Sequence, residues 1–245
     1  MPEKVYTIPF PENTRKGCKD LWNGYILKDA VYDEYDIPFC PTTATQIPNT
    51  LISIKNAKSI YIEEMKKGNR DFKVDAIIHP YVDDQSFDGI KEGYWNKPDS
   101  MIELASHYSG IITLDFSTYL DFPDPIKRWN TYRMRTLGIY SGKCGIPTVN
   151  NVRWGEEETW GYSFSGLPKE DMYAIGTVAS GIRQKGYREI FINGLLYMVD
   201  QLNPRVLIIY GGDQLPVIDD LRHKGINVVT FKSDTASYFE GVKNE

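Results

Sequence analysis

The chain has 245 residues and carries 28 Lys and Arg against 33 Asp and Glu, a formal net charge of −5. That balance excludes a nucleic-acid coat or a basic membrane-surface protein, because phosphate-rich partners are held chiefly by clustered Lys and Arg. Hydrophobic residues at 41% and charged residues at 25% exclude a disordered or collagenous chain, and no stretch nears the roughly 18 apolar residues of a membrane span.

The start, MPEKVYTIPFPENTRKGCKD, holds acids and prolines where a signal peptide needs an apolar run, and Cys18, Cys40 and Cys144 form no CxxC pair. Reduced thiols in a cytoplasmic protein are therefore expected, with no membrane attachment. Residues 1–50 scatter Trp22, Tyr25, Tyr32 and Tyr35 among charges with no sustained period, which predicts an irregular, aromatic-rich N-terminal lobe. Residues 51–245 read as an α/β domain. Its short apolar runs are VDAIIH (74–79), GIITLDF (110–116), IPTVNNV (146–152), YAIGTV (173–178), RVLIIY (205–210) and INVVTF (226–231), with LISI (51–54) as a further candidate. Each is rich in Ile and Val and bounded by Gly, Pro or Asp, as buried strands are.

Helical patterns fall between the runs. Asp99 is placed to cap a helix over 99–108, with Gly110 just past its end. A stripe of Ile192, Leu195, Leu196, Val199 and Leu202 marks a helix over 188–203 that Pro204 stops, and a short helix covers 215–224. Alternating strands and helices predict a mostly parallel sheet of six to eight strands. An incomplete or distorted (β/α) barrel is favoured over an open doubly wound sheet.

Both architectures gather ligands at the carboxyl ends of the strands. Those ends supply His79 with Asp83 and Asp84, Asp115 with Ser117, Asn150 with Arg153 and Glu156, Thr177 with Ser180, and Tyr210, Gly211 and Asp213. Singly, each also suits a turn or a cap; their convergence on one crevice is the functional expectation. The helix over 124–141 adds an anomaly. At about 100° per residue, Ile126, Trp129, Leu137 and Tyr140 share the sheet-facing arc with Arg133 near its middle and Asn130 beside it. A guanidinium there needs a carboxylate or a bound anion, and Asp115 is the nearest candidate by topology. The alternatives are a side chain that reaches the rim or a buried architectural ion pair.

In NNVRWGEEETW (150–160), Arg153 offers bidentate donors, Trp154 a stacking face and Glu156 a carboxylate for acid/base work. The expected site thus has Asp115 and Glu156 as catalytic groups. Asn130, Arg133, Asn150, Arg153, Trp154, Thr177, Tyr210 and Gly211 are its expected substrate-binding residues. YGGDQLP (210–216) fits a phosphate-approaching turn and equally a plain strand-to-helix turn. Three histidines without i,i+4 spacing exclude a histidine metal centre, whereas a magnesium ion held by Asp83, Asp84 and Asp88 stays open. The absence of GxGxxG, GxxxxGK[ST] and GxSxG removes the dinucleotide, P-loop and serine-hydrolase readings.

The segments GYWNKP (93–98), LDFSTYLDFP (114–123), WNTYRMRTLG (129–138), IPTVNNVRWG (146–155), AIGTV (174–178) and IIYGG (208–212), in that order, resemble the bacterial, archaeal and phage family called domain of unknown function 4417. The resemblance spans roughly residues 75–232 and implies a compact α/β domain often carried by phages and mobile elements. It brings no activity with it. Related sequences often read GSHG where this chain has GTVASG, so no histidine role is carried over there.

Three functions are expected in turn. The first is an enzyme acting on a nucleotide, nucleobase or sugar-phosphate, with a small anionic ligand or nucleotide in a carboxylate/arginine pocket. The second is a regulatory or host-interaction protein that captures a protein partner through the aromatic lobe. The third is a DNA-binding protein using KRWNTYRMR (127–135), in which Arg128 and Arg135 reach phosphates.

Overall fold

The computed structural model describes residues 20–89, 93–178, 180–212 and 214–234. The elements run β1 (Leu51–Ser53), α1 (Ile54–Lys66), β2 (Val74–His79), α2 (Pro98–Ala105), β3 (Tyr108–Ile112), α3 (Asp124–Lys143), β4 (Thr148–Asn151), α4 (Trp160–Ser163), β5 (Met172–Gly176), α5 (Lys185–Leu202), β6 (Val206–Tyr210), α6 (Pro216–His223) and β7 (Asn227–Phe231). All six expected strands form, and LISI supplies the seventh.

The strands lie side by side in chain order, every neighbouring pair parallel. A doubly wound sheet reverses its order at a switch point, whereas unbroken sequential order belongs to the (β/α) barrel. The sheet is also curled. Leu51 of β1 and Phe231 of β7 pack on one inner cluster with Ile77, Ile112, Val149 and Ile208, which a flat sheet would keep apart. No pairing between β1 and β7 occurs among the described residues, so the sheet is a half-barrel.

Its outer face is covered in two patches. Ile78, Ile111 and Leu114 pack with Met101 and Leu104 of α2 and Met134 and Leu137 of α3. Tyr173, Ile175, Leu207 and Ile209 pack with Leu195 and Met198 of α5 and Ile218 and Leu221 of α6. Burial on both faces is why the strands read as continuous apolar runs rather than as an alternation.

Helix α1 has no counterpart in the sequence expectations. Only Ile54 and Ala57 of its 13 residues are buried, so its apolar stripe is thin, and its start rests on the Ser53 hydroxyl accepting from the Asn56 N–H. At α2, Lys97 rather than Asp99 is the N-cap; Pro98 opens the helix, Asp99 sits in its first turn, and Gly110 lies inside β3. In the described part of the N-terminal lobe, Gly24–Leu27 forms a single 3-10 turn and Tyr32 bridges Pro38. Ile26, Leu27, Tyr32 and Cys40 pack there against Ile139 of α3.

Covered by the sheet on one side and this lobe on the other, α3 is buried almost all round. The single sheet-facing arc expected of it is therefore corrected: Ile126 is 44% exposed, while Lys127, Arg133 and Arg135 are buried. Arg135 is fully buried and donates to the carbonyls of Ser165, Asn151 and Ser163 at 3.1, 3.2 and 2.9 Å. Burial lowers its pKa to about 10, which still leaves it charged at neutral pH. The expectation that Arg135 reaches DNA phosphates is overturned by that burial. Of the cations in 127–135, only Arg128 is exposed, and it lies 3.7 Å from Asp124.

Arg135→Met keeps the aliphatic volume of this side chain but strands three carbonyls. Urea denaturation is expected to register a loss of about 3 kcal/mol or more; a loss under about 1 kcal/mol would show that water replaces the guanidinium.

Candidate functional site

A cavity of about 430 Å³ opens at the carboxyl ends of β2, β3, β4 and β5, lined by the loops that follow them and the first turns of α5. This is where a parallel α/β sheet directs its loops. Asp115, three residues past β3, accepts from Asn151 Nδ2 at 2.7 Å on one oxygen and from Arg153 Nη1 at 2.6 Å on the other. Asn151 is held in turn by the Tyr81 hydroxyl, which donates to its Oδ1 at 3.1 Å. Arg153 Nε donates to Thr118 Oγ1 at 3.3 Å, while Nη2 has no protein partner among the described residues and can serve a ligand.

Asp84 forms the second carboxylate of the cavity. Ser117 grips both its oxygens, the backbone N–H at 3.0 Å and the hydroxyl at 2.9 Å. Burial is the largest influence on Asp84 and pushes its carboxyl above the ordinary range; the Ser117 bonds oppose this, and neighbouring Asp115 reinforces it. For Arg153, burial pulls the guanidinium down, but Asp115 more than restores it, so the cation is held firmly.

The remaining wall is apolar, with aliphatic residues such as Val82, Val152 and Ile175 beside five aromatic ones. Tyr81, Tyr119, Trp154, Tyr187 and Phe191 line the space. Trp154 leans on Phe164 and Phe191 at centroid distances of 5.7 and 5.3 Å. Its seat exists because α5 carries glycine at position 194, where a Cβ would come within 2.2 Å of the indole.

A model of the domain of unknown function DUF4417 matches residues 31–232. The chain belongs to the DUF4417 family. It is similar to the Gene 1 proteins of two Mycobacterium phages. That of L5 is 31% identical over 156 residues, covering 62% of this chain and 65% of the relative. That of D29 is 30% identical over 147 residues, covering 60% and 52%. The match thus spans less than two thirds of either relative. No solved structure gives a significant match.

In this DUF4417 chain the structure brings Asp115, Arg153 and Trp154 into one cavity, together with Asp83, Asp84, Ser117 and Ser180. It separates the other expected residues. Arg133 is a buried, paired cation as its position requires, but its partner is Asp88, bidentate at 2.7 and 2.9 Å, and not Asp115. Asn130 accepts from Arg133 Nη2 and donates to the Ser117 carbonyl. Neither side chain lines the cavity; they brace from behind the segments carrying Asp84 and Ser117.

Glu156 pairs with Lys127 and lines a different hollow. Asn150 donates to the Cys40 carbonyl at 3.0 Å and to Thr42 Oγ1 at 3.2 Å, so it ties down the N-terminal lobe. Thr177 accepts from Gly212 N–H at 2.8 Å, and Gly211, at φ +118°, lies so close that a Cβ would meet Thr177 Oγ1 at 2.4 Å; both sew the β5 and β6 loops together. The Tyr210 ring covers His79 at 4.0 Å and its hydroxyl donates to Asp234.

Asp213 and Cys18 lie outside the described residues. The proposed Asp83–Asp84–Asp88 magnesium site does not form, because Arg133 occupies both Asp88 oxygens and no group of three metal-ligating acids, histidines or cysteines exists among the described residues. No described helix is long and apolar enough to cross a membrane.

Sequence reasoning missed Tyr81, Asn151, Tyr119 and Tyr187. Tyr81 was within reach: it follows Ile77 and His79 at a spacing of two, which keeps it on the inner face. Tyr119 and Tyr187 come from irregular segments that periodicity does not address.

Gly194→Ala would ordinarily favour a helix by up to about 1 kcal/mol. Here it is expected to destabilise the fold and to shift Trp154 fluorescence; a gain in melting temperature with an unchanged spectrum would refute the seat. His79 gives a pH prediction. It is fully buried, its Nδ1 accepts from Tyr81 N–H, its Nε2 has no partner, and burial lowers its pKa to about 4. The unfolded chain, near 6.5, takes up the proton first, so stability is full above that pH and falls as pH drops towards 4, by up to about 3 kcal/mol. His79→Leu should flatten the slope in that window, measured by urea denaturation; an identical slope in both proteins would contradict the assignment.

Proposed function

We propose that the strand-end cavity binds a planar heterocycle of the nucleobase or nucleoside kind, with Asp84 handling protons and Arg153 orienting the ring. The observation that carries this reading is the composition of the wall: five aromatic side chains around one guanidinium and the carboxylates of Asp83, Asp84 and Asp115.

Aromatic faces favour a flat ring, and stacking on one is worth roughly 1–3 kcal/mol per base. Mixed donors and acceptors suit a base edge, which presents both. Three carboxylates against one guanidinium that Asp115 already neutralises disfavour an isolated phosphate or sugar-phosphate. The anionic ligand expected from Arg153 alone is therefore set behind a neutral ring.

The two engaged carboxylates divide the work. Asp115 has both oxygens occupied by Asn151 and Arg153, which suits it to holding the cation. Asp84, raised by burial and bonded only to Ser117, is the group whose protonation state can change during binding or turnover. The acid/base role expected of Asp115 passes to Asp84 on this reading.

Calorimetric titration with nucleosides, their monophosphates and sugar phosphates tests it. Nucleosides are expected to bind, and Tyr119→Ala, at a half-exposed position, to weaken them about tenfold. Asp84→Asn is expected to leave the fold intact and abolish the pH dependence of binding. A preference for sugar phosphates over nucleosides, or a pH profile unchanged in Asp84→Asn, would overturn the assignment.

A further inference from the structure

Two other hollows meet where the N-terminal lobe rests on the first turns of α3. One, of about 860 Å³, is walled by Trp22, Tyr32, Trp129 and Tyr132. The other, of about 1070 Å³, is walled by Trp160, Tyr162 and Tyr197. Tyr35, Asp124 and Arg128 line both, so the hollows form one groove around these shared side chains.

The groove is acidic. Lys127 is neutralised by Glu156, and Arg128 faces Asp124. That leaves Asp36, Glu157 and Glu158, all exposed, with no ion pair among the described residues. A second and independent feature is Tyr32. It lines the groove at 4% exposure, yet its hydroxyl has no hydrogen-bond partner among the described residues. Folding normally satisfies a buried hydroxyl, so an unpartnered one on a residue of the groove wall is a bond that a docked ligand can supply. In the adjoining hollow, Oε2 of Glu156 is likewise buried without a partner.

We infer that this groove docks a basic, extended segment of a partner protein, its arginine or lysine side chains lying over the aromatic faces and meeting the unpaired carboxylates and the Tyr32 hydroxyl. The chemistry is complementary at each point. Aromatic rings attract cations to their faces, most strongly where water is excluded. Three unpaired carboxylates repel nucleic acid and favour a cationic chain. The inner wall already holds one such contact: the Arg128 guanidinium lies over the rings of Tyr162 and Tyr35 at 5.3 and 5.9 Å. Exposed Leu21 and Trp22 extend the apolar surface for the residues between the charges. Only Leu120 is shared with the strand-end cavity, so this inference stands apart from the nucleoside reading.

The test is a tryptophan-fluorescence titration of the full chain with equal-length peptides of alternating Gly-Arg, Gly-Gln and Gly-Glu, and with free arginine and spermidine. Saturable binding of the Gly-Arg peptide is expected, about tenfold or more tighter than the Gly-Gln peptide and weakened by salt. The double charge reversal Glu157→Lys with Glu158→Lys, at exposed positions, should weaken it at least as much. Tyr32→Phe should raise the melting temperature while lowering affinity for the Gly-Arg peptide. The inference is overturned if the Gly-Gln peptide binds equally, if charge reversal changes nothing, or if free arginine or spermidine matches the peptide. It also fails if Tyr32→Phe leaves affinity unchanged, or if sedimentation shows a second copy of this chain filling the groove in a dimer that charge reversal dissociates.

Discussion

The neutralisation of charges buried on α3 organises the strand-end face of this molecule. An unpaired buried cation costs several kcal/mol, so each must find a counter-group at close range. Lys127 takes Glu156 and the Leu120 carbonyl, Arg133 takes Asp88, and Arg135 takes the carbonyls of Asn151, Ser163 and Ser165. Asn130 adds the Ser117 carbonyl. Apart from Asn151, the last residue of β4, these partners belong to the segments that follow β2, β3 and β4. One helix therefore fixes three loops that would otherwise be free to vary, and the cavity takes its shape from that constraint although most of the responsible side chains never touch it.

Within the cavity, two carboxylates of the same chemical type have different surroundings. Asp115 has one oxygen against the Asn151 amide and the other against the Arg153 guanidinium. Asp84 has hydrogen bonds from one serine but no cation in direct contact, and burial raises its proton affinity. The arrangement follows from the sheet: Asp115 and Arg153 leave neighbouring strands β3 and β4, whose register brings them side by side, while Asp84 reaches in from the loop after β2.

The fold was legible because short Ile- and Val-rich runs bounded by Gly, Pro or Asp alternate with helical stretches along the chain. All seven runs became strands, and the ends of four of them mark the cavity. What escaped has physical causes. The helical-wheel treatment of α3 presumes one covered face, but residues 20–50 cover the other, so Arg135 is hidden and Ile126 is not. The partner of Arg133 comes from an irregular segment after β2, and no periodicity could rank Asp88 above Asp115, which topology placed nearer. Helix α1 carries too thin a stripe to register, since two residues supply its fully buried contacts. The stretch 127–135 offers no continuous basic surface for the same reason that the wheel fails: Lys127, Arg133 and Arg135 are buried and bonded inside the chain.

The segment from Trp154 to Glu158 joins the two surfaces. Trp154 and Gly155 line the strand-end cavity, whereas Glu157 and Glu158 line the aromatic groove. Between them, Glu156 is anchored by Lys127, and Thr159 fixes the turn by accepting from Gly155 N–H at 3.2 Å and donating to the Glu156 carbonyl at 2.7 Å. The turn is short and bonded at both ends, so displacing Glu156 must move the Trp154 wall or the acidic rim. A single ion pair on the first turn of α3 thereby sets the geometry of both faces, which extends to the groove the same control by buried charge that shapes the cavity.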